Sequence, residues 1–306
     1  MSDQRVFRRP VVTRGYELDT TRTISIPVIM NYLEHLRWEV MQEPELGLDA
    51  ALAEGHFFVV GQQDIELIRR VGMGVPLELA LVMRKVGRSR VVVEHSIRRA
   101  DRDVDNLVAH ARVVGMWMGP SRRLARVPDS LREVGRRHEG IGRVVLDEVR
   151  TSGFPTREEA PSFIDRPEVT HQPRGIDVLK LPEFELPLEA DVYRHRLTVR
   201  PSDLDLFEHV NASTYLKFFE DARTLAGLEE RSPWGAAQIG GLFRRQLARA
   251  PHVRASVSYH REALLQDALE VVMWLESSAD DGRNRFQFLL CRGDEQPLCR
   301  ATVEID

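Results

Sequence analysis

Residues 203–223 read Asp-Leu-Asp-Leu-Phe-Glu-His-Val-Asn-Ala-Ser-Thr-Tyr-Leu-Lys-Phe-Phe-Glu-Asp-Ala-Arg, the densest set of chemically capable groups in the chain. An acidic turn (Asp203, Asp205) delivers His209 and Asn211 to the mouth of an amphipathic helix. A carboxylate and an imidazole four residues apart can share a proton or orient a water. The adjoining helix N-terminus offers N–H donors and the positive end of the peptide dipole to a developing negative charge. Each group also has a bland reading. Acidic residues before a helix commonly cap it, and a lone histidine more often sits satisfied at a boundary. Asp203 therefore reads as a cap, and Asp205 divides between cap and chemistry. The place of His209 between Asp205 and Asn211 favours chemistry.

The positioning elements follow from periodicity. A helix over 212–226 carries Tyr215, Phe218, Phe219, Ala222 and Leu225 on its apolar side, all read as core, with Glu220 and Arg223 as a structural pair one turn apart. Strand-like runs follow at Val253–Tyr259, Ala268–Glu276, Arg283–Arg292 and Leu298–Ile305, separated by turn signals at 280–282 and 293–297. The first half repeats this plan more faintly. Shifting by 186 residues lays Asp19 on Asp205, Glu34 on Glu220 and Arg37 on Arg223. Ser25 can cap a helix beginning near Pro27, with Ile26, Met30, Leu33, Leu36 or Arg37, and Val40 at helical spacing. Strand-like runs then occupy His56–Ile68, Pro76–Val86, Arg90–Arg99 and Leu107–Met118. Each half is thus a lead-in strand, one long helix and about four antiparallel strands, an α+β arrangement in which the helix covers the apolar face of its sheet. Between the halves, 151–190 is rich in proline and poor in periodicity and reads as a linker. The expected organisation is 1–150, linker 151–190, and 191–306.

Bulk properties narrow the class. At 306 residues the chain can bury one large core or two ordinary ones. A net charge of −4 gives no reason to expect nucleic acid or an anionic membrane as partner. Apolar residues make up 42% and charged ones 29%, a globular balance, and no apolar run is long enough to span a bilayer. The N-terminal residues carry Arg5, Arg8, Arg9 and Arg14 without an apolar stretch, so no secretory signal is expected. Cys291 and Cys299 are within reach of a hairpin disulfide, but two buried thiols in a reducing cytosol is the favoured reading. A cytoplasmic protein is expected.

The two halves resemble tandem hotdog domains, and the chain resembles an acyl-acyl-carrier-protein thioesterase of the plant and bacterial type. Residues 19–34, Asp-Thr-Thr-Arg-Thr-Ile-Ser-Ile-Pro-Val-Ile-Met-Asn-Tyr-Leu-Glu, are similar to the first-helix signature of that family, and Arg122–Pro128 to its basic exit from the last strand of that domain. Asp203–Asp205 through His209-Val210-Asn211 resembles the family's catalytic turn, and Tyr259-His260-Arg261-Glu262 the strand that bears its catalytic glutamate. The resemblance covers nearly all of the chain outside the linker. It implies that the first hotdog shapes an acyl-chain pocket and the second does the chemistry. Asp205, His209 and Glu262 are then the catalytic residues, with Asn211, Phe207, Ala263 and Tyr215 beside them. Three positions depart from the family pattern: Phe207 replaces an asparagine that would hold the attacking water, Ala263 a cysteine, and Ala212 a second asparagine.

Hydrolysis of a fatty acyl thioester on acyl carrier protein or coenzyme A is the implied reaction, part of fatty acid biosynthesis. It needs an activated water and a polarised carbonyl, and no metal or cofactor. Glu262 is the first choice as general base. His209 would orient the water or share its proton, Asp205 would fix the histidine or its loop, and N–H groups at the helix mouth would hold the oxyanion. Attack by a carboxylate itself is the minority route. Without the resemblance, Glu262 would read as a solvated turn residue, and Arg69-Arg70 and Arg122-Arg123 read as solvated faces rather than docking sites for an acidic partner. The first half lacks a full set, with Thr23 at the place of His209, Arg69-Arg70 near that of Arg261-Glu262, and Asp19 without evident partners. One active site per intrachain pseudo-dimer is expected, and further self-association stays open. Enoyl-thioester hydration is disfavoured because its Asp-x-Asn-Pro-x-His spacing is missing. A non-catalytic acyl-thioester sensor is the alternative, kept in play by Phe207.

Overall fold

The structure, a computed structural model, describes residues 6–19, 21–138, 192–205, 208–228, 252–276, 284–293 and 296–305. The expected linker 151–190 and Phe207 lie outside the described residues. The chain divides into two compact units. The first contains β1 (Phe7–Val12), α1 (Ile26–Met41), α2 (Asp49–Ala53), β2 (Phe57–Leu67), β3 (Pro76–Val86), β4 (Arg90–Arg99), β5 (Leu107–Met118) and α3 (Asp129–His138). Its strands run antiparallel in the order β1-β3-β4-β5-β2. The second contains β6 (Tyr193–Thr198), α4 (Ala212–Leu228), β7 (His252–Tyr259), β8 (Ala268–Glu276), β9 (Asn284–Arg292) and β10 (Gln296–Ile305). Its order, β7-β10-β9-β8-β6, is that of the first unit strand for strand.

In the second unit α4 lays its aromatic face on the sheet. Phe219 stacks on Phe288 of β9 at 4.9 Å between ring centroids, and Tyr215 meets Tyr259 of β7 edge to face at 5.2 Å. Such pairs add specific geometry to the burial of large apolar surfaces. Phe218, Ala222 and Ala226 are buried as well. Leu225, expected on this face, is instead 38% exposed, and Arg223 and Ala226 take the inward positions. At 100° per residue the buried stripe drifts past Leu225 by the last turns. Burial pulls the Arg223 guanidinium down to about 10, and nearby Glu220 opposes that shift. Glu220 also reaches His252 Nδ1 at 3.2 Å.

The first unit builds its core likewise from Ile29, Met30, Leu33, Leu36 and Val40 of α1. Arg37 is the buried counterpart of Arg223. It lies close enough to fully buried His95 on β4 to push that histidine further below its usual pKa, burial being the larger cause. Two elements carried no sequence signal, α2 and α3. α3 has few apolar residues among its charges, yet buries Leu131 and Val134 and packs on β3 through Gly135, where a Cβ would come within 2.4 Å of Val86. Among the described residues no helix is long and apolar enough to cross a membrane.

Cys291 and Cys299 are both free and buried. Burial pushes the Cys291 thiol up from 9.0 to about 11, and Cys299 well above its usual value. An acid whose pKa rises on folding keeps its proton in the folded state and loses it first in the unfolded one, so this stability is present below pH 9.0 and declines as pH climbs toward 11. Neither thiol should react with a disulfide reagent in the native protein at pH 7–8, and both should after denaturation. Chemical denaturation at stepped pH should show stability falling across that window, and less steeply in Cys291→Ala.

Candidate active site

The turn before α4 is shaped by its own backbone. Asp205 N–H donates to the His209 carbonyl at 2.7 Å, Glu208 N–H donates back to the Asp205 carbonyl at 3.1 Å, and Leu204 bridges Val210. Glu208 takes a left-handed φ of 65° to close the loop. The side chain of Asp205 completes it, Oδ1 accepting from His209 N–H at 3.3 Å. Asp203 does not cap α4. It is buried and accepts from Arg200 N–H at 2.8 Å, capping the short 3-10 turn Pro201–Asp203. The cap of α4 is Asn211, whose Oδ1 accepts from Ser213 N–H at 2.9 Å and from Ser213 Oγ at 2.7 Å.

Glu262 arrives from the other direction, just past the end of β7. His260 and Arg261 N–H both point at the Leu298 carbonyl (2.8 and 3.1 Å), a bulge that turns the chain off the ladder. Val210 N–H then donates to the Ala263 carbonyl at 3.0 Å, and His209 bridges Leu264. This seam brings the carboxylate of Glu262 into contact with Nε2 of His209. The two side chains are 20% and 16% exposed, sheltered but reachable. Tyr215 supports the seam from α4, its hydroxyl oxygen accepting from Ala263 N–H at 3.1 Å, while burial drives its own pKa upward. Tyr259 donates to the Ala212 carbonyl at 2.9 Å.

Of the residues expected at a site, Asp205, His209, Glu262, Asn211, Ala263 and Tyr215 therefore gather around the mouth of α4. Asp205 engages the histidine through backbone N–H, and Tyr215 is both core and support. Arg292 and Asp267 were not foreseen: Arg292 donates to the Glu262 carbonyl at 2.7 Å and to Asp267 Oδ2 at 2.9 Å through Nε. Asp267 joins the site through its own turn, accepting from Leu264 N–H, and Arg292 through the pairing of β8 with β9. Among the described residues no group of three His, Cys, Asp or Glu side chains is placed to hold a metal ion.

The first unit repeats the backbone and not the chemistry. Asp19 N–H donates to the Thr23 carbonyl, Arg22 N–H to Asp19, Arg22 has a φ of 63°, and Ile24 N–H donates to the Val71 carbonyl. Ile68 and Arg69 N–H share the Val108 carbonyl, as His260 and Arg261 share Leu298. Thr23 thus stands at the place of His209 and Arg70 at that of Glu262. Asp19 accepts from Thr21 N–H and Oγ1 at 2.7 and 2.6 Å. Arg69, read as a solvated face, pairs with Asp105 at 3.1 Å.

A sequence model described as the thioesterase-like superfamily matches residues 14–135 and 199–306, the two halves just superposed. The chain belongs to that superfamily. Among curated relatives it is similar to an acyl-[acyl-carrier-protein] hydrolase of Cuphea viscosissima, at 23% identity over 99% of this chain, and to a palmitoyl-acyl carrier protein thioesterase of Cuphea hookeriana, at 24% over 99%. It spans 63% of the length of each. Among solved structures, the 12:0-ACP thioesterase from Umbellularia californica matches with a TM-score of 0.64 and 17% identity, covering 100% of this chain and 98% of that one. An acyl-ACP thioesterase from Bacteroides thetaiotaomicron matches with a TM-score of 0.64 and 14% identity over 100% of both. The fold is the expected tandem hotdog.

Replacing Tyr215 by Phe leaves the Ala263 N–H buried without its acceptor and should lower stability by about 1–3 kcal/mol. Asn211→Ala removes the cap of α4 and should cost about 1 kcal/mol. Urea denaturation of the two variants beside the parent measures both.

Proposed function

We propose that the protein hydrolyses fatty acyl thioesters, presented on acyl carrier protein or coenzyme A, to the free acid and thiol. The observation that carries this reading is the contact of His209 Nε2 with the Glu262 carboxylate at the N-terminus of α4. Superfamily membership and the acyl-carrier-protein substrates named for similar proteins support it.

In this reading a water held beside the pair gives its proton to the Glu262 carboxylate as its oxygen bonds to the thioester carbon. His209 shares that proton through Nε2, which keeps the pair from accumulating full charge in a half-sheltered site. The carbonyl oxygen becomes an oxyanion facing the N-terminus of α4, where the helix dipole favours negative charge. As the tetrahedral carbon collapses, the C–S bond breaks and the proton passes to the departing thiolate. Asp205 holds the His209 backbone and takes no proton. The first unit, with Thr23 and Arg70 where the pair would be, serves the acyl chain rather than the reaction. Free buried thiols suit the reducing cytoplasm in which we place the protein.

Thiol release from a panel of acyl-CoA and acyl-carrier substrates of graded chain length tests the reading. Release should be detectable with at least one substrate and should fall by at least about 100-fold in Glu262→Ala and in His209→Ala. Tight acyl-CoA binding with no thiol release across the panel would instead assign the chain as an acyl-thioester sensor, the role for which Phe207 in place of a water-holding amide argues.

A further inference from the structure

Glu262 lies on a stretch that has left its sheet. Past the bulge at His260 and Arg261 the chain runs through Glu262 and Ala263 into a turn at 264–267, with Gln266 at a φ of 65°. Segments of this kind, with few ladder bonds, are the ones that open locally. A base that must stay against an imidazole is poorly served by such freedom.

The two units hold this turn differently. In the first, Thr13 N–H donates to the Val75 carbonyl and Gly74 N–H to Thr13, and the Thr13 hydroxyl binds the Gly72 carbonyl at 2.6 Å and Val75 N–H at 2.9 Å. In the second, Val199 N–H donates to the Asp267 carbonyl and Gln266 N–H to Val199, so the backbone scheme is the same. Val199 has no hydroxyl. Asp267 stands where the first unit has Val75, and its Oδ2 accepts from Leu264 N–H at 2.8 Å and from Arg292 Nε at 2.9 Å. The same guanidinium donates through its terminal nitrogen to the Glu262 carbonyl at 2.7 Å. Arg99, the counterpart of Arg292 in the first unit, turns to Asp101 instead. A single hydroxyl suffices to fasten the turn. The Asp267–Arg292 pair fastens the turn and also grips the residue that bears the carboxylate, and it occurs in the unit that has His209 and Glu262.

We propose that Asp267 and Arg292 are positioning residues for Glu262: the guanidinium, oriented by Asp267 and anchored at the end of β9, fixes the Glu262 carbonyl and thereby the line of approach of its carboxylate to His209. The proposal rests on Glu262 being the base. Both clamp residues are part-buried, at 19% and 33% side-chain exposure, so solvent screens the pair incompletely.

The test is steady-state hydrolysis of the best acyl thioester by Asp267→Asn, Arg292→Gln and Arg292→Lys, with thermal unfolding of each. A displaced base slows the chemical step and leaves binding alone, so kcat should fall about 10- to 100-fold with KM within about twofold. Arg292→Lys, which can still reach one acceptor, should recover part of the loss. The decisive variant transplants the first unit's fastening, Val199→Thr with Asp267→Val. It should regain thermal stability over Asp267→Val alone without regaining kcat, because the hydroxyl holds the turn and not Glu262. Recovery of kcat along with stability would reduce the pair to a turn support and overturn the proposal. Glu262→Ala is run alongside. If it loses hydrolysis while Arg292→Gln and Asp267→Asn keep the parent kcat, the clamp alone is refuted. If Glu262→Ala hydrolyses at the parent rate, the assignment of the base fails and the clamp fails with it.

Discussion

One backbone hydrogen bond, from Val210 N–H to the Ala263 carbonyl, sets the distance between the two halves of the site. It ties the turn that enters α4 to the chain that leaves β7, and it makes neighbours of side chains far apart in sequence. Everything placed there afterwards is adjusted around this seam: the Asp205 loop on one side, the bulge at Leu298 on the other, and Tyr215 beneath. A backbone bond suits this role because it depends on no particular side chain. The same bond exists in the first unit, from Ile24 to Val71, where no histidine or glutamate uses it.

Duplication explains why identical scaffolds can diverge so far. Once the seam and the left-handed residue of the loop are kept, here as Arg22 and Glu208, the side chains facing the seam are free to change. Thr23 and Arg70 in one unit and His209 and Glu262 in the other are alternative occupants of one geometry. A histidine and a carboxylate in contact and partly withdrawn from water need each other, since either left alone would carry its desolvation uncompensated. Substituting one partner therefore tends to require the other, which accounts for a unit having the full pair or neither. The buried arginines Arg37 and Arg223 show the opposite behaviour. They are retained in both units, each three residues after a glutamate, while the buried histidine beside them differs, His95 from β4 in one and His252 from β7 in the other.

Much of this is legible in the amino-acid sequence, and the reasons are specific. The strands 76–86, 90–99, 107–118 and 268–276 begin and end where the alternation and the turn residues place them. Periodicity identifies α1 and α4 because each has a long aliphatic or aromatic stripe. α3 escapes notice because so few of its residues are apolar, and Leu225 misleads because a stripe at helical spacing drifts around the axis over several turns. At the site, the turn at 205–211 can be read locally, since loop, cap and helix are contiguous. The cap itself goes to Asn211 rather than Asp203, as the residue adjoining the first turn has the shorter reach. Arg292 leaves no trace in local spacing, because what joins it to Glu262 is the register of one strand against another.

The capping role of Asn211 constrains what its side chain can contribute to chemistry. With Oδ1 committed to Ser213, the acceptor end of the amide faces the helix and the donor end is directed elsewhere. A side-chain amide in that orientation can offer hydrogen bonds to a water or to a carbonyl oxygen, and it cannot accept a proton. Asp205 is similarly occupied, its Oδ1 being turned to His209 N–H. Glu262 presents its carboxylate to the imidazole from the strand opposite. The division of labour at the site thus follows from which lone pairs the local backbone has already claimed.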